Sequence, residues 1–325
     1  MAPLGKATRL YTPTVALTQR TTGFRHEALL YDGHDAFLAA AAAFVREGTA
    51  ADEPTLVMVP PDKIAALQER LDASDSIAFV DIRKVGSNPG RIIPAWREFA
   101  AAHDGRRLRG IGEPIWPERA GAELVECQRH ESLLNLAFAD SGAFWLLCPY
   151  DTAALHPDVV AEARRSHPFV LAGDRSAAST EYHGLEVVTT PFDDPLPAPP
   201  AASEGLPFGP GQLADVREFV SQRATAAGLD TERTADLVTA VNELATNSLL
   251  YGGAHGSVHV WPDRQAFVCE VRDDGRITDP LIGRRPPEPH QHGGRGLWMA
   301  NQLCDLVQVR SSAAGTVVRV HSRYR

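Results

Sequence analysis

One stretch of this sequence, Asn242-Glu243-Leu244-Ala245-Thr246-Asn247, holds a carboxylate and an amide four residues apart. On a helix, Glu243 and Asn247 fall on one face. A carboxylate there can orient a nucleophile as general base. An amide oxygen can serve a hard cation such as Mg2+. Taken alone, the pair more often marks a solvated polar face. A second stretch, Asp273-Asp274-Gly275, directly follows the strand read over Phe267 to Arg272. A carboxylate at a strand end can accept from an exocyclic amine, and the glycine lets a flat ring approach the backbone. A third, Gly293-Gly294-Arg295-Gly296-Leu297, opens a helical pattern, where bare backbone N–H groups favour phosphate. It is no dinucleotide fingerprint: Met299 stands where the last glycine would, and a long loop comes before it.

The elements that must position these groups are legible as periodicities. Leu213, Val216, Phe219 and Val220 recur at helical spacing over Gln212 to Ala224. A second helix, with the stripe Leu237, Val241, Leu244 and Leu249, is capped by Thr231 and runs to Leu250. Strands follow at Ser257–Trp261, Ala266–Arg272, Leu306–Ser311 and Thr316–Ser322, with a Gly/Pro/His-rich loop and the helix Leu297–Leu303 among them. This order predicts an α+β domain with a largely antiparallel sheet.

Before the proline-rich run Pro191 to Gly211, strands and helices alternate. Strands are read at Glu27–Tyr31, Pro54–Val59, Ile77–Ile82, Arg107–Ile111 and Ala143–Cys148. Helices are read at Ala36–Val45, Lys63–Leu71, Ile92–Ala102 and Glu126–Ala139. Such alternation implies a mainly parallel sheet covered on both faces. The expected organisation is a domain over residues 20–190, a semi-rigid linker over 191–211 without elements of its own, and a second domain over 212–325.

The chain has 325 residues, enough for two domains at roughly 150 each. Its formal charge of −9, from 32 basic and 41 acidic residues, argues against direct DNA binding. The apolar run Ala36 to Val45 stops at Arg46, far short of the roughly 20 residues of a membrane span. Met1 to Arg20 shows no signal-peptide pattern, so a cytoplasmic location is expected. Cys127, Cys148, Cys269 and Cys304 are scattered, which argues against a zinc site or a disulfide framework.

Taken in order, the three stretches resemble the GHKL ATPases. Glu243 to Asn247 resembles their N box, Asp273-x-Gly275 the G1 box, Gly294-Arg295-Gly296-Leu297 the G2 box, and Gly315-Thr316 the final Gly-Thr element. Thr246-Asn247-Ser248-Leu249 followed by Tyr251-Gly252-Gly253 brings the resemblance closest to the compact anti-sigma-factor serine kinases. The resemblance implies a Bergerat fold that binds ATP with Mg2+. In it Glu243 is general base, Asn247 the Mg2+ ligand and Asp273 the adenine acceptor. Gly275, Gly294, Arg295, Gly296, Leu297 and Thr316 serve as nucleotide contacts. Many members carry a second glycine after the G1 box, where this chain has Arg276-Ile277.

Residues 24 to 172 resemble the MEDS sensory domain. The residues are His26 with Leu30-Tyr31, Arg109-Gly110-Ile111-Gly112-Glu113 with Trp116, Cys148-Pro149-Tyr150-Asp151, and Ser166-His167-Pro168. The resemblance implies a RecA-like sheet without a working phosphate loop, and the sensing of a small molecule. Glu113 and Asp151 both follow strands, which places them at the carboxyl edge of a parallel sheet, where ligands bind. His26, His167 and Tyr150 are further sensory candidates. The histidines read first as structural groups, and Cys148 as a buried small residue.

The combined resemblance implies a sensor-controlled anti-sigma factor. Its partners are a sigma factor and a STAS-type antagonist that it phosphorylates on Ser/Thr, and a homodimer is allowed. The alternatives are an ATP-dependent binding module without transfer, and a sensor histidine kinase. Against the last, His26-Glu27 and His130 to Leu134 lack the proline usual in a phosphoacceptor box, and no paired-helix segment comes before the ATPase region. His290-Gln291-His292 reads as part of a mobile polar lid.

Overall fold

The computed structural model describes residues 23–119, 121–185, 193–287 and 294–324. The N-terminal unit alternates strands and helices. These are β1 (Phe24–Tyr31), α1 (His34–Ala50), β2 (Thr55–Val59), α2 (Pro61–Gln68), β3 (Ile77–Asp81), α3 (Ile82–Val85), a 3-10 turn (Pro89–Arg91), α4 (Ile92–Ala102) and β4 (Leu108–Gly112). The rest are α5 (Gly121–Ala137), β5 (Phe144–Asp151), α6 (Pro157–Ser166), β6 (Phe169–Ala172) and β7 (Arg175–Ala178). The sheet order is β3-β2-β4-β5-β1-β6-β7, parallel except at β6–β7. The central strands split their side chains between two apolar cores, because successive residues point to opposite faces; the edge strand β7 is exposed. Leu29, Leu147 and Trp145 pack with Phe37 and Phe44 of α1. Ala28, Leu146 and Cys148 pack with Trp96 of α4 and Leu133 of α5. A mainly parallel sheet buried on both sides is what the strand composition predicts.

The C-terminal unit comprises β8 (Glu204–Phe208), α7 (Leu213–Ala226), α8 (Thr231–Tyr251), β9 (Gly256–Pro262), β10 (Ala266–Asp273), α9 (Arg295–Leu303), β11 (Leu306–Ser312) and β12 (Gly315–Arg323). Its antiparallel sheet has the order β11-β12-β10-β9-β8. Leu237, Val241 and Leu244 of α8 pack on Cys269, Val271 and Val320, which point to one face of this sheet. The opposite face carries Glu270, fully buried and bonded by Arg319 at 2.9 Å.

Two expectations need correction. Residues 204–208 of the expected linker are a strand, paired antiparallel with β9. Pro207 lacks a ladder donor, but β8 is the sheet's edge strand, where proline is tolerated. The stretch ahead of it is pinned as well. Arg310 donates to the Asp194 carbonyl (3.1 Å) and Arg319 to that of Pro197 (2.6 Å). The α8 cap is Asp230, whose carboxylate accepts from the Arg233 N–H at 2.9 Å, and Thr231 is the first helical residue. Pro191, Gly293 and His290-Gln291-His292 lie outside the described residues.

Polar contacts join the two units. The last carbonyls of α9 have no partner within the helix. Arg91 donates to those of Asn301 (2.7 Å), Gln302 (2.8 Å) and Cys304 (2.9 Å), and Asn88 to those of Asn301 and Cys304 (both 3.1 Å). A cation at a helix C-terminus also suits the helix dipole. Nearby, Glu126 of α5 accepts from Arg310 of β11 at 2.8 Å, and Arg284 lies 3.6 Å from its other oxygen. All three are buried. Removing the only carboxylate of such a group leaves buried cations uncompensated. Glu126→Gln is therefore expected to cost about 3–5 kcal/mol in denaturant unfolding of the full chain. An unchanged midpoint would show that the Glu126 cluster contributes nothing.

Candidate functional site

The floor of the main cleft is built where α8 ends beside the end of β10. Asp273 is locked there: Ser248 donates to Oδ2 at 2.6 Å and the Gly275 N–H to Oδ1 at 2.8 Å. Each oxygen keeps a second lone pair for a ligand donor. The Thr316 hydroxyl bonds the Gly275 carbonyl at 2.8 Å and contacts Ser311 at 2.8 Å, which ties β12 to the same turn. A Cβ on Gly252 would fall 2.5 Å from the Asp273 carboxyl carbon, so only glycine admits this carboxylate.

The cleft has a volume of about 1460 Å3. Asn247, Asp273, Gly275, Gly294, Leu297 and Thr316 all line it, as do Arg276 and Ile277. Gly294, with φ of 78°, turns the chain into α9 and leaves the first N–H groups of that helix without helical acceptors. Gly296 lies beneath the cleft. A Cβ there would meet the Asn247 amide nitrogen at 2.5 Å, so its absence lets α9 close on α8. Three expected residues stand apart from the lining: Gly296, Glu243, half-buried one turn before Asn247, and Arg295, exposed at the start of α9. The opposite wall comes from the N-terminal unit, through Arg97 and Ala101 of α4 and Phe138 after α5. Sequence spacing gives no sign of that wall.

The sensory candidates fall into two groups. Glu113 is buried after β4 and joins two residues not singled out from sequence as a pair, Tyr31 and Lys63. The Tyr31 hydroxyl donates to Glu113 Oε1 at 2.9 Å, and Lys63 Nζ lies 2.5 Å from the same oxygen and 2.6 Å from the hydroxyl. Burial pushes the Glu113 carboxyl above its ordinary value, against the pull of Lys63 and Tyr31. Burial and Glu113 together push the Tyr31 phenol up. Asp151 ends β5, in register with Tyr31 on β1, and accepts from the Ala153 N–H at 3.0 Å. Glu113 and Asp151 thus share the carboxyl edge of neighbouring strands, as the sequence predicts. His26, Cys148 and His167 lie in a different place, deep between the sheet and α5, together with Glu131. The Tyr150 ring meets His167 edge-on, with centroids 5.5 Å apart. Lys63 and Glu131 carry no local sequence signal, because their partners arrive from distant strands.

Residues 25–168 match the family described as MEDS: MEthanogen/methylotroph, DcmR Sensory domain. Residues 206–321 match the Histidine kinase-like ATPase domain. The chain is a MEDS sensory domain fused to a GHKL-type ATPase domain. Domains of the second fold generally bind ATP with Mg2+. Among solved structures, the chain is similar to the RsbU and RsbW domains of Rv1364c from Mycobacterium tuberculosis. The two are 20% identical with a TM-score of 0.30, over 38% of this chain and 33% of that one. No curated protein matches the chain. Among the described residues, no helix is long and apolar enough to cross a membrane.

The Lys63–Glu113 pair generates a pH-dependent expectation. In Lys63→Met the buried carboxyl loses its cation and its pKa rises further. A raised folded-state value favours folding at low pH and is lost as pH rises. The deficit of Lys63→Met should therefore be small near pH 4 and grow towards neutrality, to at most about 3–5 kcal/mol. Chemical unfolding across that range checks it, and a pH-independent deficit would mean simple loss of packing.

Proposed function

We propose that this chain is a signal-responsive regulator of the anti-sigma type. It binds ATP with Mg2+ in the cleft beside Asp273, sequesters a sigma factor, and phosphorylates a serine or threonine of a STAS-type antagonist. The observation that supports this most is the Asp273 carboxylate. It is fixed by Ser248 and Gly275 at the floor of a cleft whose other end is the open N-terminus of α9. Such a carboxylate accepts from an exocyclic amine. The first N–H groups of α9 favour phosphate oxygens. Thr316, bonded to the Gly275 carbonyl beside Asp273, stands at the base end. In this reading Asn247 holds the metal. Glu243 takes the proton of the acceptor hydroxyl as that oxygen bonds to the terminal phosphorus and ADP departs. The Glu113, Lys63 and Tyr31 group at the sheet edge receives a small polar signal in the cytoplasm.

A second reading has ATP holding the shape that binds a partner, with no transfer. It is favoured by one observation, that Glu243 stands outside the lining of the cleft.

Transfer of radiolabelled phosphate separates the two readings. Acid-stable label on the antagonist, lost in Glu243→Gln with ATP binding retained, supports the first. Tight ATP binding without label supports the second. Asp273→Asn replaces an acceptor oxygen by a donor group. It should weaken ATP at least about tenfold by calorimetry, the equivalent of about 1.5–3 kcal/mol. Unchanged affinity would remove Asp273 from the nucleotide site.

A further inference from the structure

We propose that His26, Glu131, Cys148 and His167 form a binding site for a divalent transition-metal ion of the zinc type inside the sensory domain. The four residues come from β1, α5, β5 and the end of α6, and none is more than 1% exposed. One donor atom from each lies within 4.8 Å of all the others. His26 Nε2 is 3.1 Å from Glu131 Oε2 and 3.3 Å from Cys148 Sγ, and His167 Nε2 is 3.2 Å from Glu131 Oε2. Tetrahedral zinc with ordinary bond lengths separates nitrogen and oxygen ligands by about 3.3 Å, and nitrogen from sulfur by about 3.6 Å. The four groups need only small adjustments to reach that geometry.

The surrounding hydrogen bonds direct the lone pairs inward. Asn135 donates its amide N–H groups to the carbonyls of Ser166 (2.7 Å) and Ser132 (3.3 Å), which leaves its oxygen as acceptor. That oxygen takes the His26 Nδ1–H at 3.0 Å. His167 Nδ1 donates to the Ala163 carbonyl at 2.8 Å. Both rings therefore carry their proton on Nδ1 and turn an unprotonated Nε2 toward the cluster, the arrangement by which outer partners orient histidine ligands. His167 Nε2, which faces Glu131 Oε2 at 3.2 Å, has no hydrogen-bond partner although buried, and neither has Glu131 Oε1. One proton on Glu131 Oε2 can serve only one of its two imidazole contacts, whereas a cation serves all four donors. Two imidazoles, a thiolate and a carboxylate form a borderline-soft set that suits zinc, cobalt or ferrous iron over magnesium or calcium. Four protein ligands make it a closed site of structural or sensing character.

The scattered cysteines that argue against zinc in the sequence mislead here. Spacing rules apply to ligands on one local loop, and these four come from separate elements. The proposal does not depend on nucleotide binding or phosphotransfer.

The test uses the full chain produced in metal-defined medium with Zn2+ or Co2+. Elemental analysis should give one ion per chain. The cobalt protein should show tetrahedral visible bands and a thiolate charge-transfer band. Cys148→Ser should lose that charge-transfer band, and Cys127→Ser should keep it. Asn135→Ala should keep the spectrum but weaken the ion about 10–100-fold, as outer-partner losses do. X-ray absorption of the wild-type zinc protein needs no variant, and should give one sulfur and three nitrogen or oxygen ligands. A folded chain without metal, a first shell without sulfur, or a Cys148→Ser variant that keeps the band would each overturn the proposal.

Discussion

The C-terminal carbonyls of α9 are satisfied from the other domain, and much of the molecule depends on that fact. A nine-residue helix cannot bond its own last turn. Here the guanidinium of Arg91 and the amide of Asn88 complete it. The other end of the same helix opens at Gly294 onto the cleft. One short helix therefore spans from the sensory domain to the proposed phosphate end of the nucleotide site. Its position is set from both sides.

The rest of the seam has the same polar character. Glu126 faces Arg310 and Arg284, and Arg129 bonds the Val309 carbonyl at 3.0 Å. Buried ionic contacts contribute little net stability compared with apolar packing, yet they are costly to break singly. Such a seam admits few relative positions of the domains. A signal can act on the cleft only by favouring one of those positions over another. Any such effect is reciprocal, so a nucleotide in the cleft must change affinity for the signal by the same factor.

Elements with a regular apolar rhythm were readable from sequence. Helix α4 runs over the predicted Ile92–Ala102, and the GHKL boxes fall where α8, β10 and α9 place them together. Other parts were hidden for physical reasons. β8 is masked by Pro207, which an edge position tolerates. In α5, read from the sequence as Glu126–Ala139, the hidden part is the polar burial: Glu126, Glu131 and Asn135 are buried against charged and polar partners instead of lipophilic ones. Lys63 and Glu131 gain meaning only through contacts 50 and 105 positions away along the chain. The wall that α4 lends to the cleft is a property of domain docking, which no local pattern records.

Helix α5 has a mechanical consequence. Glu126 and Glu131 are five residues apart, about 140° around a helix of 3.6 residues per turn. One points to the ATPase domain and the other into the buried histidine cluster. The helix is thus gripped on two sides by different parts of the protein, like a shaft between two bearings. At a radius of about 5–6 Å, a roll of about 20° moves a side-chain tip by about 2 Å. That is enough to part the Glu126–Arg310 bond. Whatever tightens or loosens the inner grip sets how freely the outer one can turn.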